Sequence, residues 1–256
     1  MPSTDDSKLT LLALSHELGA EQRNLAILGE GNTSARLEEE TFLVKASGCN
    51  LGRLAGDDLV ECRFAPLLAL LDAAEASDRE IDKTLMDSRV DAEAKKPSVE
   101  TLFHAYLLSL PGIRYVGHVH PVSVNQILCS PMAQEFAERR IFPDEVVCCG
   151  AASVLVPYND PGLQLARAIR DGVVQFNKEH GVLPQVILLE NHGIITVGSS
   201  PSVVKTAIYM ADKAARIFIG AAALGGPCFL PGEQVKRIAG RADEHYRQRM
   251  LGRVDR

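Results

Sequence analysis

Two histidines separated by one residue, His118 and His120, lie in a mostly apolar segment that predicts a short strand over 113–119. Side chains two residues apart on a strand point to the same side, and their Cα atoms lie about 7 Å apart. Both imidazoles can therefore converge on one divalent ion, for which histidine nitrogen is a common ligand. Two independent histidines at a strand end would show the same pattern, so a metal site needs a third ligand and a carboxylate.

A third ligand is predicted at His192. It stands in a polar corner, followed by Gly193, between apolar segments that predict strands over 186–189 and 194–197. The glycine lets the backbone turn tightly, and a histidine at the edge of a buried sheet can reach a metal. The alternative interpretation is a corner residue that only makes hydrogen bonds.

A carboxylate is predicted at the start of a helix, because Pro97 and Ser98 are typical helix-start residues and place Glu100 in the first turn. The helix macrodipole alone favours an acidic residue there by ~0.3–1 kcal/mol. The second interpretation is an acid/base group beside the metal. His104, one turn further on, lies in an apolar stripe and is predicted to be structural.

Three imidazoles and one carboxylate leave an open coordination position, as in catalytic rather than structural zinc sites. An ion held in this way can polarise a carbonyl group and stabilise an enediolate. It can also activate water, so a zinc hydrolase with Glu100 as the base is a further reading of the same residues. Three imidazoles accept zinc, manganese, cobalt or iron, so the residues do not select the metal.

Two loops of small residues, 29–34 and 45–48, frame a predicted hairpin. Such loops expose backbone N–H groups, and the Asn, Ser and Lys side chains beside them suit an oxyanion or a phosphate. Ordinary turn chemistry is the alternative, since neither loop has the spacing of a nucleotide-binding loop.

The elements that must position these residues alternate between helices and strands. Periodicity and helix-start residues predict helices over 9–18, 66–76, 97–110, 121–128, 163–178, 200–224 and 231–249. Further strands are predicted over 41–44, 57–63 and 145–149, with a partial strand near 81–86 inside a surface connection.

Length and composition bound the function. The chain has 256 residues, 46% of them hydrophobic and 23% charged, which predicts one domain with a peripheral helical tail over 225–256. The net charge of -6 and the absence of a basic patch argue against a nucleic-acid partner. The absence of a secretory signal, of a membrane-spanning apolar run and of paired cysteines predicts a cytoplasmic protein without a membrane partner.

An ordered set of motifs resembles the class II aldolase/adducin family, over roughly residues 9–224. The closest likeness is to fuculose- and rhamnulose-phosphate aldolases, and especially to the aldolase half of bifunctional rhamnulose-phosphate aldolase/dehydrogenases. The motifs that carry it are Gly31-Asn32-Thr33-Ser34, Ser47-Gly48, Pro97-Ser98-Val99-Glu100, His118-Val119-His120 and Asn191-His192-Gly193.

The resemblance implies a three-layer α/β/α sandwich with a largely antiparallel central sheet, and a homotetramer. It implies one divalent metal per subunit, zinc first, with manganese, cobalt or iron as alternatives. The implied metal ligands are His118, His120 and His192, and the implied catalytic carboxylate is Glu100. The residues that match the family's phosphate pocket are Gly31, Asn32, Ser47, Gly48 and Ser98, with Lys45 adding a positive charge beside it.

The implied reaction is retro-aldol cleavage of a ketose phosphate, or a related sugar derivative, through a metal-bound enediolate on which Glu100 moves a proton. Two departures affect details. Val99 stands where the family commonly has a second serine, so the ligand anion is a phosphate or a carboxylate. No tyrosine lies near 144–145, where the fuculose-phosphate branch has one, which leaves Tyr158 as a weak candidate for the second acid/base group.

The same site could also serve decarboxylation, dehydration or epimerisation of a sugar phosphate or sugar acid phosphate. The epimerase branch usually has Asp at the position of Glu100, which weighs against epimerisation. A non-catalytic adducin-like interaction module is the alternative from a different class, and the three histidines argue against it.

Overall fold

The structure is a computed structural model that describes residues 4–37 and 39–241. The chain divides into two compact units. The first comprises residues 1–119 and 159–171, and the second comprises residues 120–158 and 172–256. Each unit combines helices with hydrogen-bonded strands, and the single domain expected from the chain length stays a prediction.

The first unit contains an antiparallel ladder in the order β3-β2-β1-β4. The ladder consists of β1 (Asn32–Arg36), β2 (Thr41–Lys45), β3 (Leu59–Arg63) and β4 (Tyr115–Val119). Four helices accompany it: α1 (Thr4–Leu18), α2 (Phe64–Asp72), α3 (Asp78–Asp87) and α4 (Thr101–Ser109). The predicted strands over 41–44, 57–63 and 113–119 are confirmed within a few residues.

The strand β1 is unusual because its first three residues, Asn32, Thr33 and Ser34, are polar and buried. A buried polar side chain needs a hydrogen-bond partner, or its desolvation costs free energy of about 1–3 kcal/mol. The Thr33 hydroxyl meets the hydroxyl of Ser15 on α1 at 2.6 Å. The partners of Asn32 and Ser34 lie at the candidate site.

The helix α4 is buried on all sides, from Thr101 to Leu108. It begins directly after Glu100, which occupies the N-cap position, and the chain leaves it towards the turn at Pro111 and Gly112. A helix with no solvent-facing side lies in the interior of the protein. Its start therefore places the carboxylate of Glu100 at the end of a rigid, buried element.

The second unit pairs β5 (Val154–Val156) in parallel with β6 (Val186–Leu189), and pairs β6 antiparallel with β7 (Gly193–Gly198). Its helices α5, α6 and α7 span Val122–Leu128, Ala133–Glu138 and Pro143–Cys149. The helix α8 (Leu163–His180) continues from the first unit into the second.

The longest helix, α9 (Pro201–Ala223), starts at Ser200, whose hydroxyl accepts a hydrogen bond from the N–H of Val203 at 3.4 Å. Proline in the first turn needs no N–H partner and is favoured there. The predicted tail contains α10 (Gly232–Ala239), where Val235 and Ile238 pack against apolar residues of α7. The remainder of that predicted helix, 242–249, lies outside the described residues.

Two predicted strands are wrong. The segment 145–149 belongs to helix α7, and 81–86 belongs to helix α3. In α7 the valines and cysteines suggest a strand, but Pro143 at the helix start and the backbone N–H of Ile141, donated to the Glu145 carboxylate at 2.8 Å, stabilise a helix. In α3 a reciprocal capping pair, Ser77 and Glu80, defines the first turn.

The predicted α/β fold with a largely antiparallel sheet is confirmed, because β5 and β6 are parallel while the pairs β1–β2, β1–β4, β2–β3 and β6–β7 are antiparallel. Within residues 4–37 and 39–241, no helix has both the length and the apolar character needed to cross a bilayer.

Candidate metal centre

The first predicted ligand, His118, is held inside the first unit by β4. It is fully buried, and its backbone lies opposite Asn32 in the pairing of β4 with β1. Its ring meets the ring of Phe103 edge-on, with centroids 5.6 Å apart. His120 follows one residue beyond the end of β4 and is half-buried. The strand thus fixes the direction in which the His118 side chain leaves the backbone.

The second unit brings His120 close to His192, with ring centroids 5.0 Å apart and the rings nearly perpendicular. His192 lies in the corner between β6 and β7, next to Asn191, whose φ of 55° is left-handed. The Asn125 amide donates to the carbonyl of His192 at 2.9 Å, and the N–H of Asn191 donates to the carbonyl of Leu128 at 3.3 Å. The helix α5 therefore holds the corner through two hydrogen bonds.

The three histidines form a group of the kind that binds a metal. One ring nitrogen from each of His118, His120 and His192 lies within 4.8 Å of the other two. Nitrogen ligands of one such ion lie at ~2.1 Å from it, and so within about 4 Å of one another. The donor set of neutral imidazoles fits zinc, manganese, cobalt or iron.

The predicted carboxylate lies beside His118. The Glu100 Oε1 atom is 3.5 Å from Nε2 of His118, and only 13% of the Glu100 side chain is exposed. The other oxygen, Oε2, accepts a hydrogen bond of 2.6 Å from the side-chain amide of Asn32. The structure therefore brings Glu100, Asn32 and His118 together within the first unit, whereas the resemblance had assigned Asn32 to the phosphate pocket.

A chain of buried polar side chains continues from Asn32. Its amide oxygen is bonded to Nε2 of His104, and Nδ1 of His104 lies 2.6 Å from the hydroxyl of Ser34. Burial is the main cause that lowers the pKa of His104 to about 3, and the nearby imidazole of His118 lowers it further. The prediction from sequence gave His104 only a structural role in an apolar stripe. A spacing of four residues after Glu100, with polar residues at alternate positions of β1, was the signal for these contacts.

Two glycines of the predicted anion loops differ in what surrounds them. Both have left-handed backbones, with φ of 67° at Gly31 and 75° at Gly48. A Cβ atom at Gly31 would lie 2.6 Å from the carbonyl oxygen of His118, whereas a Cβ atom at Gly48 would meet nothing within 4 Å. Gly31 is therefore required by the close approach of its loop to β4, while Gly48 faces open space.

The two serines of the predicted anion site differ in exposure. Ser47 is exposed, and its N–H donates to the carbonyl of Lys96 at 2.9 Å. Ser98 is half-buried, and its hydroxyl accepts the backbone N–H of Glu100 at 3.3 Å. The Ser47 hydroxyl is thus accessible to a ligand, and Ser98 also shapes the turn into α4.

Lys45 contacts the backbone of both loops. It is 2% exposed, and its ammonium group donates to the carbonyls of Gly29 at 3.1 Å and Cys49 at 2.7 Å. Burial lowers the pKa of Lys45, while nearby acidic groups, Cys49, Glu100 and Asp58, raise it in part. The lysine connects the two loops through their backbones, a role that the sequence did not predict.

Tyr158, the weak candidate for a second acid/base group, lies between β5 and α8 in the second unit and is 57% exposed. Its catalytic role stays a prediction.

The sequence model of the family described as the Class II Aldolase and Adducin N-terminal domain matches residues 10–219. The chain is 28% identical over 198 residues to a protein of Bacillus subtilis named "Uncharacterized oxidoreductase YuxG", covering 74% of this chain but 26% of that protein. It is 25% identical over 180 residues to the 3-oxo-tetronate 4-phosphate decarboxylase of Haemophilus influenzae, covering 70% of this chain and 71% of the relative. The chain thus spans about a quarter of the first relative.

Two solved structures share the fold. The N-terminal Class II Aldolase domain of a protein from Thermoplasma acidophilum has a TM-score of 0.68 at 25% identity, over 86% of this chain and 96% of that one. An L-fuculose 1-phosphate aldolase has a TM-score of 0.68 at 18% identity, over 93% of this chain and 96% of that one. The predicted similarity to class II aldolases is therefore confirmed.

Proposed function

Because the chain belongs to the family of class II aldolases and adducin N-terminal domains, we propose that it is a divalent-metal-dependent lyase that cleaves a carbon–carbon bond. The proposed substrate is a ketose phosphate or a related sugar derivative. The observation that carries the proposal is the carboxylate of Glu100 at 3.5 Å from the buried imidazole of His118, within the three-histidine group. A non-catalytic interaction module has no need of this arrangement.

The metal would be held by His118, His120 and His192, with zinc as the first choice and manganese, cobalt or iron as alternatives. When bound, it supplies a Lewis acid that polarises the substrate carbonyl and stabilises the negative charge that develops on its oxygen. The chain's own contribution is to hold three neutral nitrogens in place. The pairing of β4 with β1 holds the backbone of His118, and a hydrogen bond from Asn125 of α5 holds the backbone of His192.

Glu100 is the proposed acid/base group. The Glu100 carboxylate accepts a hydrogen bond from Asn32, and a carboxylate is a group that can both accept and release a proton. In the cleavage direction, the carbon that keeps the bonding electrons must gain a proton, and the protonated form of Glu100 delivers it. The carboxylate left behind takes up a proton from solvent before the next turnover. In the reverse direction the carboxylate removes the same proton. The hydroxyl of the departing aldehyde needs a separate proton acceptor, for which Tyr158 remains the candidate.

The proposed anion site consists of the loops around Gly31 and Ser47, with Ser98 beside Glu100. Exposed Ser47 and Gly48 offer a hydroxyl and backbone to a phosphate or a carboxylate. Lys45 stabilises the site, because its ammonium group donates hydrogen bonds to carbonyls of both loops and adds positive charge beside them. The subunits are proposed to assemble as a homotetramer.

Decarboxylation of a 3-oxo sugar acid phosphate is a second candidate, favoured by the similarity to the Haemophilus influenzae decarboxylase. The leaving fragment is then carbon dioxide, so no aldehyde hydroxyl has to be deprotonated. This would explain why no tyrosine stands near 144–145. The metal ligands, Glu100 and the anion loops would keep the same roles.

The test begins with metal analysis of the purified protein and continues with product analysis on ketose phosphates and 3-oxo sugar acid phosphates. Two carbonyl fragments identify an aldolase, and carbon dioxide identifies a decarboxylase. Replacing any one of the three histidines by Ala should lower the metal content by at least about tenfold. A protein that binds no divalent metal and releases neither product would contradict the proposal.

A further inference from the structure

The side chains of Asn32, His104 and Ser34 form a hydrogen-bonded chain that ends on the Glu100 carboxylate, all within the first unit. All three are almost completely buried, with exposures of 3% for Asn32 and 0% for His104 and Ser34. None of the three needs to touch a substrate to affect the reaction.

The direction of every bond follows from the carboxylate. An ionised carboxylate only accepts hydrogen bonds, so the Asn32 amide must present its NH₂ group to Glu100. Its amide oxygen then faces Nε2 of His104, and since an amide oxygen only accepts, Nε2 must carry the proton. The neutral ring therefore has a bare Nδ1, which accepts the hydroxyl proton of Ser34 at 2.6 Å.

The two ends of this chain lie on rigid elements. Asn32 and Ser34 occupy alternate positions of β1, which is paired with both β2 and β4. Glu100 and His104 are four residues apart at the start of α4, and the N–H of His104 donates to the carbonyl of Glu100 at 3.3 Å. One amide side chain therefore bridges two positions of the same helix face.

The amide of Asn32 has two orientations that differ by a half-turn. In the observed one its NH₂ group meets the carboxylate, and in the other its oxygen would face the carboxylate oxygen at the same place, which is repulsive. The Nε2–H group of His104 selects between them, because it can donate only to an oxygen. A ring without that donor would leave the orientation of Asn32, and with it that of Glu100, less defined.

We propose that His104 and Ser34 are positioning residues that set the orientation of the Glu100 carboxylate through the amide of Asn32. This inference rests on the proposed function, because it takes Glu100 as the group that transfers the proton. A displacement of about 1 Å at such a group can lower the rate about 100-fold. The chain would therefore affect kcat more than KM.

The first test compares His104→Gln with His104→Phe. Glutamine keeps a donor near the position of Nε2, whereas phenylalanine keeps the ring and the packing against Phe103 but has no donor. We expect His104→Phe to lower kcat about 10- to 100-fold with KM changed less than about threefold, and His104→Gln to recover most of kcat. Metal content should be unchanged in both.

Ser34→Ala keeps the inference testable if His104→Phe does not fold, since it removes one hydroxyl without adding volume. We expect a loss of kcat of about threefold to tenfold, smaller than in His104→Phe, with the thermal unfolding temperature lowered by only a few degrees. A kcat within twofold of wild type in both Ser34→Ala and His104→Phe would overturn the inference. Equal losses of kcat in His104→Gln and His104→Phe, in parallel with lost stability, would also overturn it.

The second test does not depend on activity. Nitrogen-15 NMR of protein labelled at its 7 histidines, with His104 assigned from the signals lost in His104→Gln, reports which ring nitrogen carries the proton. The Nε2–H form supports the inference, and the Nδ1–H form overturns it whatever the kinetics. A wild-type protein that releases no product overturns the proposed function and the catalytic role of Glu100, while the NMR result still decides the order of the hydrogen bonds.

Discussion

The surroundings of Glu100 and of Lys45, both in the first unit, are built from different kinds of hydrogen bond. Glu100 is bonded to another side chain, the Asn32 amide, at 2.6 Å. Lys45 is bonded to two main-chain carbonyls, those of Gly29 at 3.1 Å and Cys49 at 2.7 Å. Bonds between side chains orient one chemical group, whereas bonds to carbonyls fix the course of a loop.

This difference separates two kinds of contribution to an enzyme. A group that transfers a proton must be held in one orientation, so a change in its orientation reduces the rate of the chemical step. A loop that binds an anion needs its N–H groups to converge. A change in the course of the loop therefore weakens substrate binding in the ground state as well as in the transition state. Variants near Glu100 should therefore lower kcat, and variants near Lys45 should raise KM.

The largest effect is expected for Glu100→Gln. The amide has the shape of the carboxylate but cannot exchange a proton at neutral pH, so kcat should fall by about 10²–10⁴-fold. Metal content, measured by elemental analysis, should remain that of wild type, because the three histidines are unchanged. A kcat within threefold of wild type would show that Glu100 is not the acid/base group.

The next effect concerns Gly31 and its matched control, Gly48. Gly31→Ala puts a methyl group 2.6 Å from the His118 carbonyl oxygen in a left-handed backbone, so strain and overlap should lower the free energy of unfolding by about 2–5 kcal/mol. Gly48→Ala has the same backbone cost but open space, so about 1–2 kcal/mol is expected.

Urea unfolding of both glycine variants measures the difference, and metal analysis shows whether the shift of β4 reaches His118. We expect reduced metal content in Gly31→Ala alone. Equal destabilisation by the two substitutions would mean that the close approach of Gly31 to β4 is not a constraint.

The third prediction is made for Lys45→Met, which keeps the length of the side chain and removes the ammonium group. Two loop carbonyls then lose their donor, so KM should rise about tenfold while kcat stays within about threefold of wild type. Lys83→Met, at an exposed ion pair with Asp87 on α3, removes the same charge and controls for long-range electrostatics. A loss of kcat larger than the rise in KM would remove the distinction between the two regions.

The sequence predicted the parts of the site that depend on residue type and spacing. His118 and His120 are two residues apart on a strand, and Glu100 follows helix-start residues, so their positions could be inferred locally. The bond from Asn32 to Glu100 joins β1 to the start of α4 across 68 residues, so the spacing of polar residues within each element does not by itself show which side chains meet.

The wrong strand at 145–149 has a similar cause. Two valines and two cysteines favour a strand in isolation, but the contacts of Glu145 with the preceding loop and the packing of Val146 and Val147 against α10 decide for a helix. The role of Lys45 was missed because a sequence does not show which main-chain carbonyls a buried ammonium group will meet. Tertiary contacts override local preference at each of these positions.

The smallest effect is expected for Asp58→Asn, which tests the support of the loops around Lys45 through pH. The backbone N–H of Ala55 is the largest cause that lowers the pKa of Asp58 to about 2, from an ordinary value of 3.8. A lowered pKa stabilises the folded protein above pH 3.8, and this contribution is lost as the pH falls towards 2. The variant should therefore show a shallower loss of stability than wild type in urea unfolding between those pH values.

Because Asp58 also accepts a hydrogen bond from the Cys49 thiol at 3.2 Å, KM should rise slightly, which Asp57→Asn should not cause. A pH dependence identical to wild type would mean that Asp58 does not stabilise the loop that Lys45 holds.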